Sequence, residues 1–71
     1  MKITGTVVHV ALSGGFWGIE ADNGEKYQPT GGLPTKFQKN GLKVKAEVKP
    51  SYDFTIFMWG KSVNVVRIEK L

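Results

Sequence analysis

Apolar and polar residues alternate with a period of two along most of the 71-residue chain, and this period predicts strands rather than helices. The segment 42–49, LKVKAEVK, shows it most clearly, because four apolar residues alternate with four charged ones. One face of such a strand packs against a core while the other contacts water, as in antiparallel sheets. No segment of useful length has the helical period, so the chain is predicted to be all-β.

Turn-forming residues divide the alternating segments into six predicted strands. The pair Asn23-Gly24 favours a type I′ hairpin turn between the second and third strands, because both of its residues tolerate positive φ. Pro29 ends the third strand because it has no backbone N–H to donate. The adjacent apolar residues Val7 and Val8 break the alternation and predict either a bulge in the first strand or a strand that serves both sides of a barrel. The predicted strands are Ile3–Leu12, Phe16–Asp22, Glu25–Gln28, Leu42–Lys49, Phe54–Trp59 and Val63–Ile68.

Residues Leu33–Gln38 are predicted to form one helical turn, with Pro34 near its start, where proline is tolerated. Leu33 and Phe37 are four residues apart and are expected to plug one end of a barrel. Three strands, a helical turn and two or three further strands favour one domain, residues 1–71. The predicted fold is a closed or partly closed barrel of five or six strands, of the oligonucleotide/oligosaccharide-binding (OB) type. An SH3-like barrel, which carries its helical turn nearer the end, is the alternative.

Several segments of the chain resemble a small, uncharacterised family of single-domain β-barrel proteins from bacteria and archaea. The most specific are Gly14–Ile19, GGFWGI, and Met58–Gly60, MWG. The resemblance covers nearly the whole chain, although Thr30–Gly32 intervenes where the family runs more directly into Leu-Pro. It implies an OB-like barrel and brings no catalytic residues. The other positions that carry it are Gly5-Thr6-Val7, Asp22, Gly24, Tyr27, Pro29, Leu33-Pro34, Phe37, Gly41-Leu42 and Val44.

The chain contains no cysteine, which excludes disulfides and thiolate metal sites. Packing, alone or together with self-association, therefore has to stabilise this small domain. The longest apolar run, Ile56–Trp59, is far shorter than a membrane span, and no apolar signal-peptide core follows Met1. A cytoplasmic protein that does not associate with membranes is expected.

No combination of residues predicts catalysis, a metal site or a bound cofactor. His9 is the one histidine, and a lone histidine acts as a general base only where a nucleophile and an orienting group converge on it. The segment Asp22–Glu25 lacks the alternating ligands of a calcium loop and is explained by a hairpin turn. The pairs Gly14-Gly15 and Gly31-Gly32 are not followed by the lysine and helix of a nucleotide-binding P-loop. A binding module, and not an enzyme, is expected.

Single-stranded nucleic acid is the ligand that the sequence favours. OB barrels bind along strands 2 and 3 and the loops beside them, and single strands are held by aromatic stacking and by lysines that follow the phosphates. Phe16, Tyr27, Tyr52 and Trp59 are the expected stacking residues. Large side chains also fill small cores, and Trp17, Phe37 and Phe54 are assigned to the core. The candidate binding residues are Phe16, Tyr27, Lys43, Lys45, Lys49, Tyr52, Phe57 and Trp59.

Three other interpretations of the same residues remain open. Phe57 and Trp59 share one face of their predicted strand, and this face could instead be buried by a protein partner or by a second copy of the chain. Aromatic platforms also stack sugars, so an oligosaccharide or small ligand is a further candidate. The net charge is only +4, so the central lysines could simply form a solvated face, and Glu20 and Glu47 would oppose phosphates.

Overall fold

Five strands and one short helical turn account for most of the backbone in the computed structural model, which describes residues 1–11, 14–51 and 59–71. The 3₁₀ turn spans Thr35–Phe37 and lies between the third and fourth strands, as predicted. The strands are β1 (Lys2–Val10), β2 (Phe16–Ala21), β3 (Lys26–Pro29), β4 (Lys43–Pro50) and β5 (Lys61–Lys70).

The strands close into a barrel in the order β1-β2-β3-β5-β4, with β4 returning to β1. Strand β1 closes it by pairing with two neighbours, β4 along residues 2–6 and β2 along residues 5–10. Gly5 lies where these ladders overlap, opposite Ala21 on one side and Val44 on the other. Only β3 and β5 run parallel, over three residue pairs. The prediction of a small closed all-β barrel is confirmed.

Alternating side chains fill the barrel. On β4 the apolar residues at positions 44, 46 and 48 are all buried, as the alternation predicts. Leu33 lies two residues before the 3₁₀ turn and Phe37 is its last residue. Both are buried in the same cluster. Trp17 packs partly buried against it, whereas the predicted core residue Phe54 lies outside the described residues. The cluster comprises Ile3, Val7, Ile19, Ala21, Tyr27, Leu33, Phe37, Val44, Ala46, Val48 and Val63.

Of the two interpretations of Val7 and Val8, the structure has no bulge there, and β1 instead serves both sides of the barrel by pairing with β2 and β4. The β1–β2 register runs unbroken along β1 from Gly5 to Val10, so Val7 faces the core and Val8 faces outward beside Gly18. The irregularity lies in the β4–β5 ladder, where Glu47 and Val48 pair with residues 67 and 65 and residue 66 has no partner opposite. An apolar residue on the outer face, and not an extra residue, explains the adjacent valines.

The β2–β3 hairpin has a three-residue loop and not the predicted type I′ turn. The Gly24 N–H donates to the Ala21 carbonyl (3.0 Å), and the Ala21 N–H donates to the Glu25 carbonyl (2.8 Å). Gly24 has φ +90°, and the Asn23 side chain accepts a hydrogen bond from the Glu25 N–H (2.9 Å). A type I turn followed by a left-handed glycine is the usual three-residue alternative.

Strand β5 is longer than its alternation predicted. Lys61 pairs with Tyr27, and Lys70 pairs with Val44, so both ends of the strand are held by neighbours. Of the predicted strand Phe54–Trp59, residues 54–58 lie outside the described residues, and Trp59 is in a bend. Within the part of the chain that the structure describes, no helix is long and apolar enough to span a bilayer.

Candidate functional site

The outer surface of β2 and β3 carries the candidate site. Successive residues of a strand point to opposite faces, and the buried Ile19 places residues 17, 19 and 21 of β2 on the inner face. Phe16, Gly18 and Glu20 therefore point outward. On β3 the buried Tyr27 faces inward, so Lys26 shares the outer face and lies directly opposite Glu20.

Trp59 covers Gly18. The six-membered ring of its indole occupies the space that a side chain at residue 18 would need, and Gly18 is consequently buried although it faces outward. The next residue, Gly60, brings its backbone so close to β3 that a Cβ atom would lie 2.6 Å from the Lys26 carbonyl oxygen. Two glycines on facing segments thus let the indole lie directly on the sheet.

Phe16 and Lys26 hold the Trp59 indole from two sides. The Phe16 and Trp59 rings meet edge to face, with centroids 5.6 Å apart and planes at 78°, an arrangement that the ring quadrupoles favour. The Lys26 ammonium lies 5.5 Å from the indole centroid, within the range of a cation–π contact. We call Phe16, Gly18, Trp59 and the adjoining Lys26 the aromatic platform.

Apolar and charged residues border the aromatic platform on different sides. Val8 and Val10 of β1 lie opposite Gly18 and Phe16 and extend the apolar surface. At the hairpin end, the Lys61 ammonium lies 3.4 Å from a Glu25 carboxylate oxygen. Because that pair is largely exposed, its contribution to stability is small. Since the Glu25 carboxylate offsets the charge of Lys61, Lys26 is the main cation in contact with the aromatic platform.

The structure brings only part of the predicted site together. Phe16 and Trp59 meet in the aromatic platform, but Tyr27 is 3% exposed and belongs to the core. Its ring is not available for stacking, because the period of β3 directs it into the barrel. Tyr52 and Phe57 lie outside the described residues. Lys26 was missed, although its position directly after the hairpin, on the face opposite Tyr27, was the available signal.

Lys43, Lys45 and Lys49 do not border the aromatic platform. They lie exposed on β4, which pairs with β1 and β5 and not with β2 or β3. In a closed five-stranded barrel this places β4 on the side opposite the β2–β3 surface. Acidic residues also interrupt the β4 surface, since Lys45 lies opposite Glu69. A continuous basic border beside the stacking residues is therefore not formed.

His9 is exposed near the end of β1. Its ring meets Trp17 edge to face, with centroids 4.9 Å apart, and its Nε2 lies so close to Gly15 that a side chain there would clash. The His9 backbone N–H donates to the Asn40 side-chain oxygen (3.0 Å). Among the described residues, no group of three or more His, Cys, Asp or Glu side chains is placed to hold a metal ion.

Comparison of the chain with protein-family models, with curated proteins and with solved structures finds no match in any of the three. Its function is therefore inferred from the geometry and charge of the aromatic platform.

Proposed function

We propose that this chain is a non-catalytic binding domain with an OB-type barrel, and that the aromatic platform binds single-stranded nucleic acid. Bases stack on the exposed parts of Trp59 and Phe16, and Lys26 contacts a phosphate. The single observation that carries the proposal is the placement of these three side chains together on the outer surface of strands 2 and 3, where OB barrels bind their ligands.

The OB-type assignment is supported by the strand order and the position of the helical turn. Strand β4 returns to lie beside β1, which gives the spatial order 4-1-2-3 of a Greek key, and β5 lies between β3 and β4. The 3₁₀ turn lies between β3 and β4, which favours the OB type over the SH3-like alternative. The GGFWGI and MWG segments, which carry the proposed family resemblance, contribute Phe16, Gly18, Trp59 and Gly60 to the same surface.

Stacking supplies most of the affinity in this proposal. A base stacked on an aromatic side chain contributes about 1–3 kcal/mol and does so with little preference for sequence. One main cation predicts a shallow salt dependence, because each phosphate contact with a single strand adds only about 0.7 to the slope of log K against log salt. Glu20 and Glu25 oppose phosphates at the hairpin end and direct the strand toward Phe16 and Val10.

Lys26→Gln is expected to weaken the binding of a mixed-sequence oligonucleotide and to reduce the salt slope by about 0.7. The matched control is Lys43→Gln, which removes the same charge from the opposite side of the barrel and is expected to leave the slope unchanged. The measurement is a fluorescence-anisotropy titration with single-stranded DNA and RNA at several salt concentrations.

Equal effects of the two lysine substitutions would show that only net charge matters and would contradict the proposed site. No binding of either oligonucleotide at low salt would remove the nucleic-acid proposal altogether. A loss confined to Lys43→Gln would move the site to β4.

Self-association or protein binding through the same surface is the second candidate, and a specific observation favours it. Val8 and Val10 continue the apolar surface beyond Phe16 and Trp59, and apolar patches with a polar rim are typical of protein interfaces. This candidate predicts a dimer by light scattering that Trp59→Lys converts to a monomer. A wild-type protein that stays monomeric at high concentration would exclude self-association.

A further inference from the structure

Strand β5 continues well past the end of β3, its partner on one side. Strand β3 pairs with β5 only as far as Val63, and the Thr30 N–H donates the last bond to the Val63 carbonyl (2.9 Å). The chain then turns away through Gly31 and Gly32. Residues 64–70 of β5 therefore have β4 on one side and, among the described residues, no strand on the other.

Two cavities follow this open edge of β5. One of about 440 Å³ lies between residues 31–34 and β5. It is lined by residues 64, 65, 66 and 68, which include both faces of the strand, so it opens onto the edge. A second, of about 310 Å³, lies between the 3₁₀ turn and residues 68–70. Ile68 lines both cavities, so they lie next to each other along the edge, and we call the two together the β5 groove.

The groove is apolar at one end and cationic at the other. Leu33, Pro34 and the exposed Val66 line the first end. Lys36, Lys39 and Lys70 surround the second, together with the acid Glu69. Among the described residues, none of these lysines has an acidic partner within ion-pair distance. The ion pair that the described residues form is that of Lys61 and Glu25, which lies outside the groove.

We propose that the edge of β5 along residues 64–70 is a docking site for an extended acidic peptide. The peptide adds as a strand to this edge, which offers backbone donors and acceptors at the spacing of a strand. An apolar side chain enters the end formed by Pro34 and the exposed Val66, and acidic side chains reach the three lysines. Charge complementarity selects the acidic peptide among possible partners.

The same features disfavour nucleic acid as the occupant of this groove. Stacking needs an exposed aromatic ring, and Phe37, the aromatic residue that lines the groove, is 5% exposed. The cationic end of the groove is also remote from the aromatic platform, because residues 68–70 lie seven to nine residues beyond Lys61 along β5. The peptide proposal is thus independent of the proposed function.

The probe is a set of capped peptides of about eight residues, enough to follow the open edge at the rise of a strand. Each peptide combines alternating threonine and valine with three consecutive glutamates. The glutamates stand at the N-terminal end in one series and at the C-terminal end in the other. A third series has lysine in place of glutamate. Amide NMR titration of the labelled full chain is expected to shift residues 64–70 with one of the glutamate series and not with lysine.

Lys36→Glu/Lys39→Glu is expected to weaken binding of the glutamate peptide about tenfold or more, since both charges are reversed at the site. The matched control is Lys43→Glu/Lys45→Glu, which reverses two charges on the outer face of β4 and is expected to leave affinity unchanged. Gly31→Trp should obstruct the groove, whereas Gly31→Ala should not, because the space beside Gly31 is open.

Three outcomes would overturn the proposal. The first is no shift at residues 64–70 with either glutamate series. The second is an equal loss of affinity in the two charge-reversal variants, which would indicate unspecific attraction. The third is displacement of the peptide by a single-stranded oligonucleotide that shifts the same edge residues, which would make nucleic acid the occupant. The aromatic platform can pass or fail its own test in each case.

Discussion

Replacement of Gly5 by alanine is expected to unfold a large fraction of the protein. A Cβ atom at this position would lie 2.7 Å from the Cα of Ala21 and 2.9 Å from the carbonyl carbon of Glu20. Both atoms belong to the backbone of β2, so they can move only if the two strands separate. A clash of this kind is expected to lower the free energy of unfolding by about 4 kcal/mol or more. The core of a domain of this size supplies only about 3–5 kcal/mol of stability in total.

Gly31→Ala is the matched control for this expectation. Gly31 is exposed, nothing lies within 4 Å of the position of its added Cβ, and its φ is outside the left-handed region. The same change is expected to be neutral or to stabilise by about 0.4–1 kcal/mol, because alanine restricts the unfolded chain. Urea unfolding followed by circular dichroism compares the two variants. A Gly5→Ala protein as stable as Gly31→Ala would contradict the close approach of β1 and β2.

Trp59→Ala is expected to weaken binding of single-stranded nucleic acid by roughly 5- to 150-fold, if one stacked base contributes about 1–3 kcal/mol. The fold should persist, because Trp59 lies on the outer surface and is not part of the core cluster. Phe16→Ala should cause a similar but smaller loss, since its ring supports the indole edge to face. Anisotropy titrations at fixed salt measure both changes.

Trp17→Phe is the control for the loss expected of Trp59→Ala. Trp17 packs against the core from the inner face of β2, so this substitution should leave affinity unchanged. Because the chain has two tryptophans, the same variant makes Trp59 the sole tryptophan, and its emission should respond to bound oligonucleotide. Full affinity in Trp59→Ala, or an emission that does not change on binding, would exclude the aromatic platform as the binding surface.

The Lys43→Gln control and the Trp59→Ala variant test two separate surfaces of the barrel. The sequence predicts one candidate binding site that contains both aromatic residues and the β4 lysines. The barrel places the stacking residues on β2 and before β5, while the lysines of β4 lie on the opposite side. The Lys36 and Lys39 side chains lie at the β5 groove. Charge and stacking are therefore tested with different variants.

The alternation of apolar and polar residues was sufficient to predict much of the fold. It predicted the five strands that the structure describes and the inward set of β4, while Pro34 and the spacing of Leu33 and Phe37 predicted the 3₁₀ turn. Each of these features depends on residues close together in the chain. Phe16 and Trp59 were also identified as candidates for the outer surface. Local period and turn chemistry carry this information directly.

Tertiary structure alone decided which of these residues meet. The insertion of β5 between β3 and β4 moved the β4 lysines away from the stacking residues, and no local pattern encodes the pairing of strands that are distant in sequence. The burial of Tyr27 could not be predicted, because a four-residue strand has too few alternations to show which face is buried. The position of Trp59 on Gly18 depends on two glycines 42 residues apart, Gly18 and Gly60. Only the folded barrel brings the indole onto β2 and the Gly60 backbone against Lys26 of β3.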